Sequence, residues 1–284
     1  MLETEKRRLT RREVLKQGLV ATTVGIASTS VPEWVSAGNP TKTTLPRYGF
    51  LIDVEKCTGC FACAVACKEE FDVPLGVFRS QVITQEKGKF PKVKRLFLPW
   101  LCNHCKNPIC IEQCPVEPKN ATYISPEGKE IHYQKRATYQ RPDGIVMCDN
   151  GLIDTPEDRC IGCGICVKRC PYQVRFITSQ PDGQRANKCN LCVHRLEKGD
   201  KPACVKACPH EARIAGDLND PESNISNLLA EYKSKGKDIT VLPSTRHNEE
   251  DKNTEPLCFY VGLNKEELFE VYEKGECVKD EAKG

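Results

Sequence analysis

The chain has 284 residues and a formal charge of +3; 39% of its residues are apolar, only 7% aromatic, and nineteen are cysteine. That length corresponds to one or two ordinary domains and is too great for a small disulfide scaffold, which usually stays below about 80 residues. Lysine and arginine are interspersed with the cysteines and form no basic stripe, so no nucleic acid is expected as a partner.

At the N-terminus, Thr10-Arg11-Arg12-Glu13-Val14-Leu15-Lys16 precedes a weakly apolar stretch from Gly18 to Val31, then Val35-Ser36-Ala37 and Gly38. A charged segment, a short apolar one and a small-residue cleavage site predict a signal peptide over residues 1–37. Its paired arginines resemble the twin-arginine class, which implies the twin-arginine translocase as an export partner and a periplasmic destination. Broken by Gly25, the apolar stretch falls short of the ~20 residues a membrane span needs. Nothing after Gly38 is long or apolar enough to cross a bilayer, so any membrane association has to come from a partner.

Phe50-Leu51-Ile52-Asp53 reads as a strand leading to Cys57, Cys60, Cys63 and Cys67, with a helical turn over Phe61–Ala66. A connector over 71–101 carries strand-like Val82-Ile83-Thr84 and Val93–Leu98 around a turn at Gly88. Then come Cys102, Cys105, Cys110 and Cys114. Ala121-Thr122-Tyr123-Ile124-Ser125-Pro126-Glu127-Gly128 recurs sixteen residues later as Ala137-Thr138-Tyr139-Gln140-Arg141-Pro142-Asp143-Gly144. The repeat predicts an extra hairpin, an insertion at about 119–136 that is either a tolerated surface addition or a partner contact. Gly144–Met147 reads as a strand before Cys160, Cys163, Cys166 and Cys170, and Val174–Ile177 as another before Cys189, Cys192, Cys204 and Cys208. Ala212–Ala215 is strand-like. Asp220-Pro221 suits an N-cap and first position of a helix to about Lys233. Polar residues 243–257 suit a loop, Cys258–Val261 a strand, and the end is an acidic tail.

Sixteen cysteines thus form four tight runs. The third is C-x2-C-x2-C-x3-C-P, the bacterial ferredoxin spacing, in which three thiolates wrap one [4Fe–4S] cluster and the fourth reaches a neighbour. Structural zinc favours two separated C-x2-C pairs; the fourth run alone could be read that way, but the third is too tightly spaced for one tetrahedral ion. Four runs predict four [4Fe–4S] clusters. At about −2 each for an oxidised cubane with four thiolates, they turn the formal charge of +3 negative. Lys68, Lys168, Arg169, Lys188, Arg195 and Lys206 lie where they could offset that charge and raise potentials. The expected fold class is α+β, two dicluster bacterial-ferredoxin-like modules with insertions, loop-rich and stabilised by metal–thiolate bonds.

Several segments carry a more specific likeness: Cys102-Asn103-His104-Cys105 with Asn107-Pro108-Ile109-Cys110, Asp143–Val146, Cys163–Cys166, Cys170-Pro171-Tyr172, Lys188–Cys192, Ala212–Asp217 and Phe259–Leu263. Over about Tyr48 to Leu263 the chain resembles the iron–sulfur electron-transfer subunits of the complex iron–sulfur molybdoenzymes, most of all the exported tetrathionate and polysulfide reductase branch. The resemblance implies a ligand plan: Cys57, Cys60 and Cys63 with Cys208; Cys189, Cys192 and Cys204 with Cys67; Cys102, Cys105 and Cys110 with Cys170; Cys160, Cys163 and Cys166 with Cys114. Residues 38–217 would then be interleaved modules and 218–284 a C-terminal helix and partner-binding arm. Lys68 stands where the other runs have proline.

Three cysteines remain: Cys148, read as a small buried hydrophobe, and Cys258 and Cys277, which read as free thiols or as a disulfide formed after export. His104 and His210 adjoin ligand positions and suit either packing or a hydrogen bond to sulfur, and Trp100 suits the core. No nucleophile–base pair or phosphate loop stands out, so no active site is expected. The resemblance implies a non-catalytic subunit passing single electrons between an integral membrane quinol/quinone subunit and a molybdopterin-containing catalytic subunit. The alternatives are an iron–sulfur subunit of an exported membrane hydrogenase, of a quinone-reducing or sulfite-reduction-linked membrane complex, or a stand-alone periplasmic ferredoxin.

Overall fold

A computed structural model describes residues 45–150, 158–181, 183–242 and 254–263. The signal peptide, Cys277, the acidic tail and most of the 243–257 loop lie outside them. Strand β1 (Tyr48–Asp53) is central to a four-stranded sheet: antiparallel to β10 (Arg213–Asp217) on one side, parallel to β12 (Cys258–Val261) on the other, with β11 (Ile239–Val241) antiparallel at the edge. Strand side chains alternate between faces, so Phe50, Ile52 and Tyr260 join the core that contains the cysteines. Leu51 and Val261 face the other way, with Ile214, Ile225 and Tyr232. The last two belong to helix α6 (Asn224–Ser234), which covers that face.

Four hairpins complete the strands: β2 (Ser80–Lys89) with β3 (Lys92–Leu101), β4 (Lys119–Ile124) with β5 (Glu130–Lys135), β6 (Thr138–Gln140) with β7 (Val146–Cys148), and β8 (Phe176–Gln180) with β9 (Gly183–Asn187). Helix α1 (Ala62–Phe71) carries the end of the first cysteine run. The other helices are single turns: α2 (Ile109–Glu112), α3 (Ile165–Lys168), α4 (Val193–Leu196) and α5 (Ala203–Lys206). The α+β class stands, as small sheets with few helices.

Three sequence-based boundaries move. The turn predicted at Gly88 lies at Phe90-Pro91, because Gly88, at φ 96°, still pairs with Val93 inside the ladder. The strand predicted from Val174 starts at Phe176, since Val174 and Arg175 are turned into the core instead. Helix α6 is capped by Ser223, whose Oγ accepts from the Ser226 N–H at 3.2 Å. Asp220 takes the Glu222 N–H in a local turn, a use of Asp that competes with N-capping.

The repeated octapeptide folds alike twice. In the first copy the Ser125 N–H donates to the Lys129 carbonyl and the Gly128 N–H to Ser125; in the second, Arg141 donates to Ile145 and Gly144 to Arg141. Both glycines have φ near 80°, 80° and 84°, the left-handed conformation in which glycine is the default residue. Each copy is a strand followed by the same hairpin turn. The Arg141 guanidinium of the second copy lies over the Tyr123 ring of the first, 4.9 Å from its centroid.

Candidate metal centre

One backbone device recurs in all four runs. Two residues after the first cysteine the chain enters the left-handed region: Gly59 (φ 68°), His104 (44°), Gly162 (68°) and Leu191 (63°). Runs one and three repeat it two residues further on, at Phe61 (59°) and Gly164 (72°), before α1 and α3 begin. This wraps the chain around a concave space and turns N–H groups towards sulfur. Leu191 N–H reaches Cys189 Sγ at 3.3 Å, and Ala186 N–H, from β9, reaches Cys160 Sγ at 3.2 Å. At Gly162 a Cβ would sit 2.5 Å from the Gln184 carbonyl oxygen, so the loop packs flush against β9.

The folded chain draws the cysteines together across the runs. Cys57, Cys60 and Cys63 line one cavity with Cys208; Cys102, Cys105 and Cys110 line a second with Cys170; Cys160, Cys163 and Cys166 line a third with Cys114. Cys67 lies beside Cys189, Cys192 and Cys204, each close enough for its charge to act on the Cys67 thiol. Among the described residues no three His, Cys, Asp or Glu side chains converge as a single ion requires; the quartets open around space instead. A surface groove between the β2–β3 hairpin and Leu263 includes only Cys57 of the sixteen.

The quartets adjoin in the order in which their charges interact: Cys63 with Cys204, Cys189 with Cys102, and Cys110 and Cys166 through the shared guanidinium of Arg175. Burial pushes the thiols up, to about 12 at Cys110 and Cys189 and about 11 at Cys166, and well up at Cys67. Without metal these groups hold their protons at neutral pH, and iron binding has to release them. Sulfur-directed N–H groups, four thiols to a cavity and buried cations among them are the donor set of a [4Fe–4S] cluster, and the residues fit that group.

Of the expected cations, Lys68 and Arg195 act on Cys67 and Cys192, and three are also engaged by other groups. Arg195 is held by Glu70 and Asp200, Lys206 lies 3.7 Å from Asp200, and Lys68 donates to the Pro74 and Val77 carbonyls. Lys188 is buried, its Nζ donating to the carbonyls of Val146 and Cys189. Three buried arginines were missed: Arg79, which acts on Cys67, and Arg175 and Arg213, which share a signal. Cys170-Pro171-Tyr172-Gln173-Val174-Arg175 and Cys208-Pro209-His210-Glu211-Ala212-Arg213 place arginine five residues after the last cysteine. In both, the third residue is left-handed (Gln173 φ 51°, Glu211 φ 50°) and donates to the cysteine carbonyl at 3.3 Å. In both, the fourth gives its N–H to the cysteine sulfur, and the fifth turns inward.

His104 is buried and neutral, because burial and nearby cations drive its pKa far down. Its Nδ1 accepts from Val146, and its Nε2 has no hydrogen-bond partner. His210 lines the first cavity and contacts Thr58. Trp100 is core, donating to the Tyr172 carbonyl. Cys148 and Cys258 are buried.

These features define an iron–sulfur protein built for one-electron transfer. Residues 93–218 match the 4Fe-4S dicluster domain. The chain is 41% identical to a tetrathionate reductase subunit of Salmonella typhimurium, covering 77% of this chain and 73% of that protein. It is 32% identical to a putative dimethyl sulfoxide reductase iron-sulfur subunit of Halobacterium salinarum (76% and 79%) and 31% to an arsenate respiratory reductase iron-sulfur subunit of Shewanella sp. (66% and 88%). The chain belongs to the family of iron–sulfur electron-transfer subunits of molybdoenzyme-type reductases, and is a non-catalytic member of such a complex.

Proposed function

We propose that this chain relays single electrons through four [4Fe–4S] clusters between an integral membrane quinol/quinone subunit and an exported molybdopterin-containing subunit of sulfur-compound reductase type. The carrying observation is the gathering of all sixteen run cysteines into four quartets that cross the runs. The ligand sets are Cys57, Cys60, Cys63 and Cys208; Cys67, Cys189, Cys192 and Cys204; Cys102, Cys105, Cys110 and Cys170; and Cys114, Cys160, Cys163 and Cys166. The crossing makes two interleaved dicluster modules of residues 38–217. The bound clusters supply reversible one-electron chemistry; the protein holds them in a row, excludes water from the middle and opens the ends.

The openings support the partner reading. Of the sixteen, only Cys60 and Cys163 are exposed, and they belong to the first and last quartets of the row. Exposed apolar side chains flank each: Phe61 and Val65 at one end, Ile161 and Ile165 at the other. No helix among the described residues is long and apolar enough to cross a membrane; in this reading one exposed end meets a membrane partner and the other a catalytic one. Twin-arginine export, a periplasmic location and a partner-binding role for 218–284 complete the reading.

Iron and acid-labile sulfide per chain after anaerobic purification, with EPR after reduction, test it. About sixteen irons per chain in the wild type, and about four fewer in Cys110→Ala or Cys166→Ala, are the expected results. Zinc, or fewer than about eight irons, would sink the ligand sets.

A further inference from the structure

Three buried cations occupy the three steps between successive quartets. Arg213 lines the cavity of Cys57, Cys60, Cys63 and Cys208, and the sulfur charges nearest it are those of Cys204 and Cys63, one from each side of the first step. Its Nη1 is steadied by Ser80 Oγ at 2.8 Å. Lys188 follows at the second step, anchored on the Cys189 carbonyl and on that of Val146, which lines the next cavity. Arg175 lines that same cavity and acts on Cys110 and Cys170 there, and on Cys166 across the third step. Its Nη2 donates to Thr138 Oγ1 at 3.0 Å and to Cys148 Sγ at 2.6 Å, while Nε and Nη1 are sealed from solvent without a hydrogen-bond partner. No carboxylate is among the leading influences on either arginine.

A guanidinium buried with open donors is costly unless a negative charge meets it. The proposed clusters, each carrying about two negative charges when oxidised, are the charges available. They also repel one another, so each electron placed on one makes its neighbour harder to reduce. A cation between two clusters lowers both costs at once.

We propose that Arg213, Lys188 and Arg175 are bridging cations, each shared by two consecutive clusters, that raise the reduction potentials of both and damp the repulsion between them. They are positioning residues and ligate no iron. The repeated C-P-x-x-x-R step places two of them, one in each of the two proposed modules. The inference rests on the ligand sets proposed above.

The test is an EPR-monitored redox titration, with iron counted, of the full chain purified anaerobically as wild type, Arg175→Met, Arg175→Lys and Arg213→Met. With about sixteen irons retained, Arg175→Met should lower two of the four potentials by at least a tenfold change in reduction equilibrium, about 59 mV for one electron. Arg213→Met should lower the other two, and Arg175→Lys should restore most of the loss. Full iron with unmoved potentials, or an equal shift of all four clusters, overturns the bridging role and leaves the ligand sets intact. A wild-type iron count well short of four clusters overturns the ligand sets, and the bridges with them. Should Arg175→Met fail to load, Lys and Gln replacements decide: loading in both, with low potentials only for Gln, supports the bridge. Failure of both to load makes Arg175 structural and overturns it.

Discussion

Gly162 and Gly164 stand two residues apart, both left-handed, yet their surroundings differ. A Cβ on Gly162 would run into the Gln184 carbonyl oxygen, whereas one on Gly164 would meet nothing within 4 Å. Gly164→Ala should therefore cost only the left-handed conformation, about 1–2 kcal/mol. Gly162→Ala adds a backbone collision and should cost more, with iron lost from the third run. Anaerobic thermal unfolding with iron counts distinguishes the two; equal effects would refute the packing argument. The spacing of the cysteines was readable from the sequence because ligand type and gap are local properties. Arg175 and Arg213 passed unnoticed because a charged side chain is ordinarily taken as solvated, and only the fold shows them enclosed.

Between elements, Glu70 on α1 joins the first run to the fourth. It accepts from Arg195 Nε and Nη2 at 2.6 and 2.5 Å and contacts His194 Nε2 at 2.6 Å. The Arg195 hydrogen bonds above all, then His194, hold the Glu70 carboxyl down at about 2 against an ordinary 4.5. A depressed carboxyl contributes stability that is present above pH ~4.5 and lost as pH falls towards ~2. Glu70→Gln should thus be less stable than wild type by about 1 kcal/mol at pH 6, solvent screening included. The gap should begin to narrow as pH falls below ~4.5, as read by anaerobic unfolding with iron counted over the pH range in which the clusters persist; a gap that does not narrow would exclude the charge as its cause.

The β4–β5 hairpin was legible as a hairpin from its repeated octapeptide. Lys119 and Lys135 are register partners at its open end, so removing 120–134 leaves ends that one peptide bond can nearly close. Arg136, which donates to the Cys114 and Val116 carbonyls, is kept. The shortened chain should retain its full iron content. If a partner protein then no longer co-purifies, the hairpin is a contact; if assembly is unchanged, it is a tolerated addition. The helix start at Ser223 was less legible, because Asp220-Pro221 satisfies the same local rule and only the reach of Ser223 Oγ to the Asp217 carbonyl, at 2.6 Å, selects between them.

For the molecule as a whole, cysteines of three quartets (Cys63, Cys102, Cys170, Cys189 and Cys204) are part of the main core, packed with Phe50, Trp100, Leu101 and Tyr260. Emptying the sites should leave four groups of thiols, more than half of them buried, with nothing to hold the loops around them, and a fold coupled to its metal unfolds when the metal goes. Anaerobic chelation should therefore expose Trp100 and collapse the far-ultraviolet dichroism in step with iron loss. Retention of native dichroism after complete iron removal would show that the sheet and hairpins stand alone.

By itself the sequence determined the four runs, the kind of cluster they hold, the strands beside them and the duplicated hairpin, because each is written in contiguous residues. Residue spacing did not say which thiols share a cavity, a plan that only the family resemblance implied, and only the tertiary structure decided which two run cysteines reach the surface and which cations lie between neighbouring quartets. Those are contacts between residues far apart along the chain, such as Cys57 with Cys208, and local spacing carries no record of them.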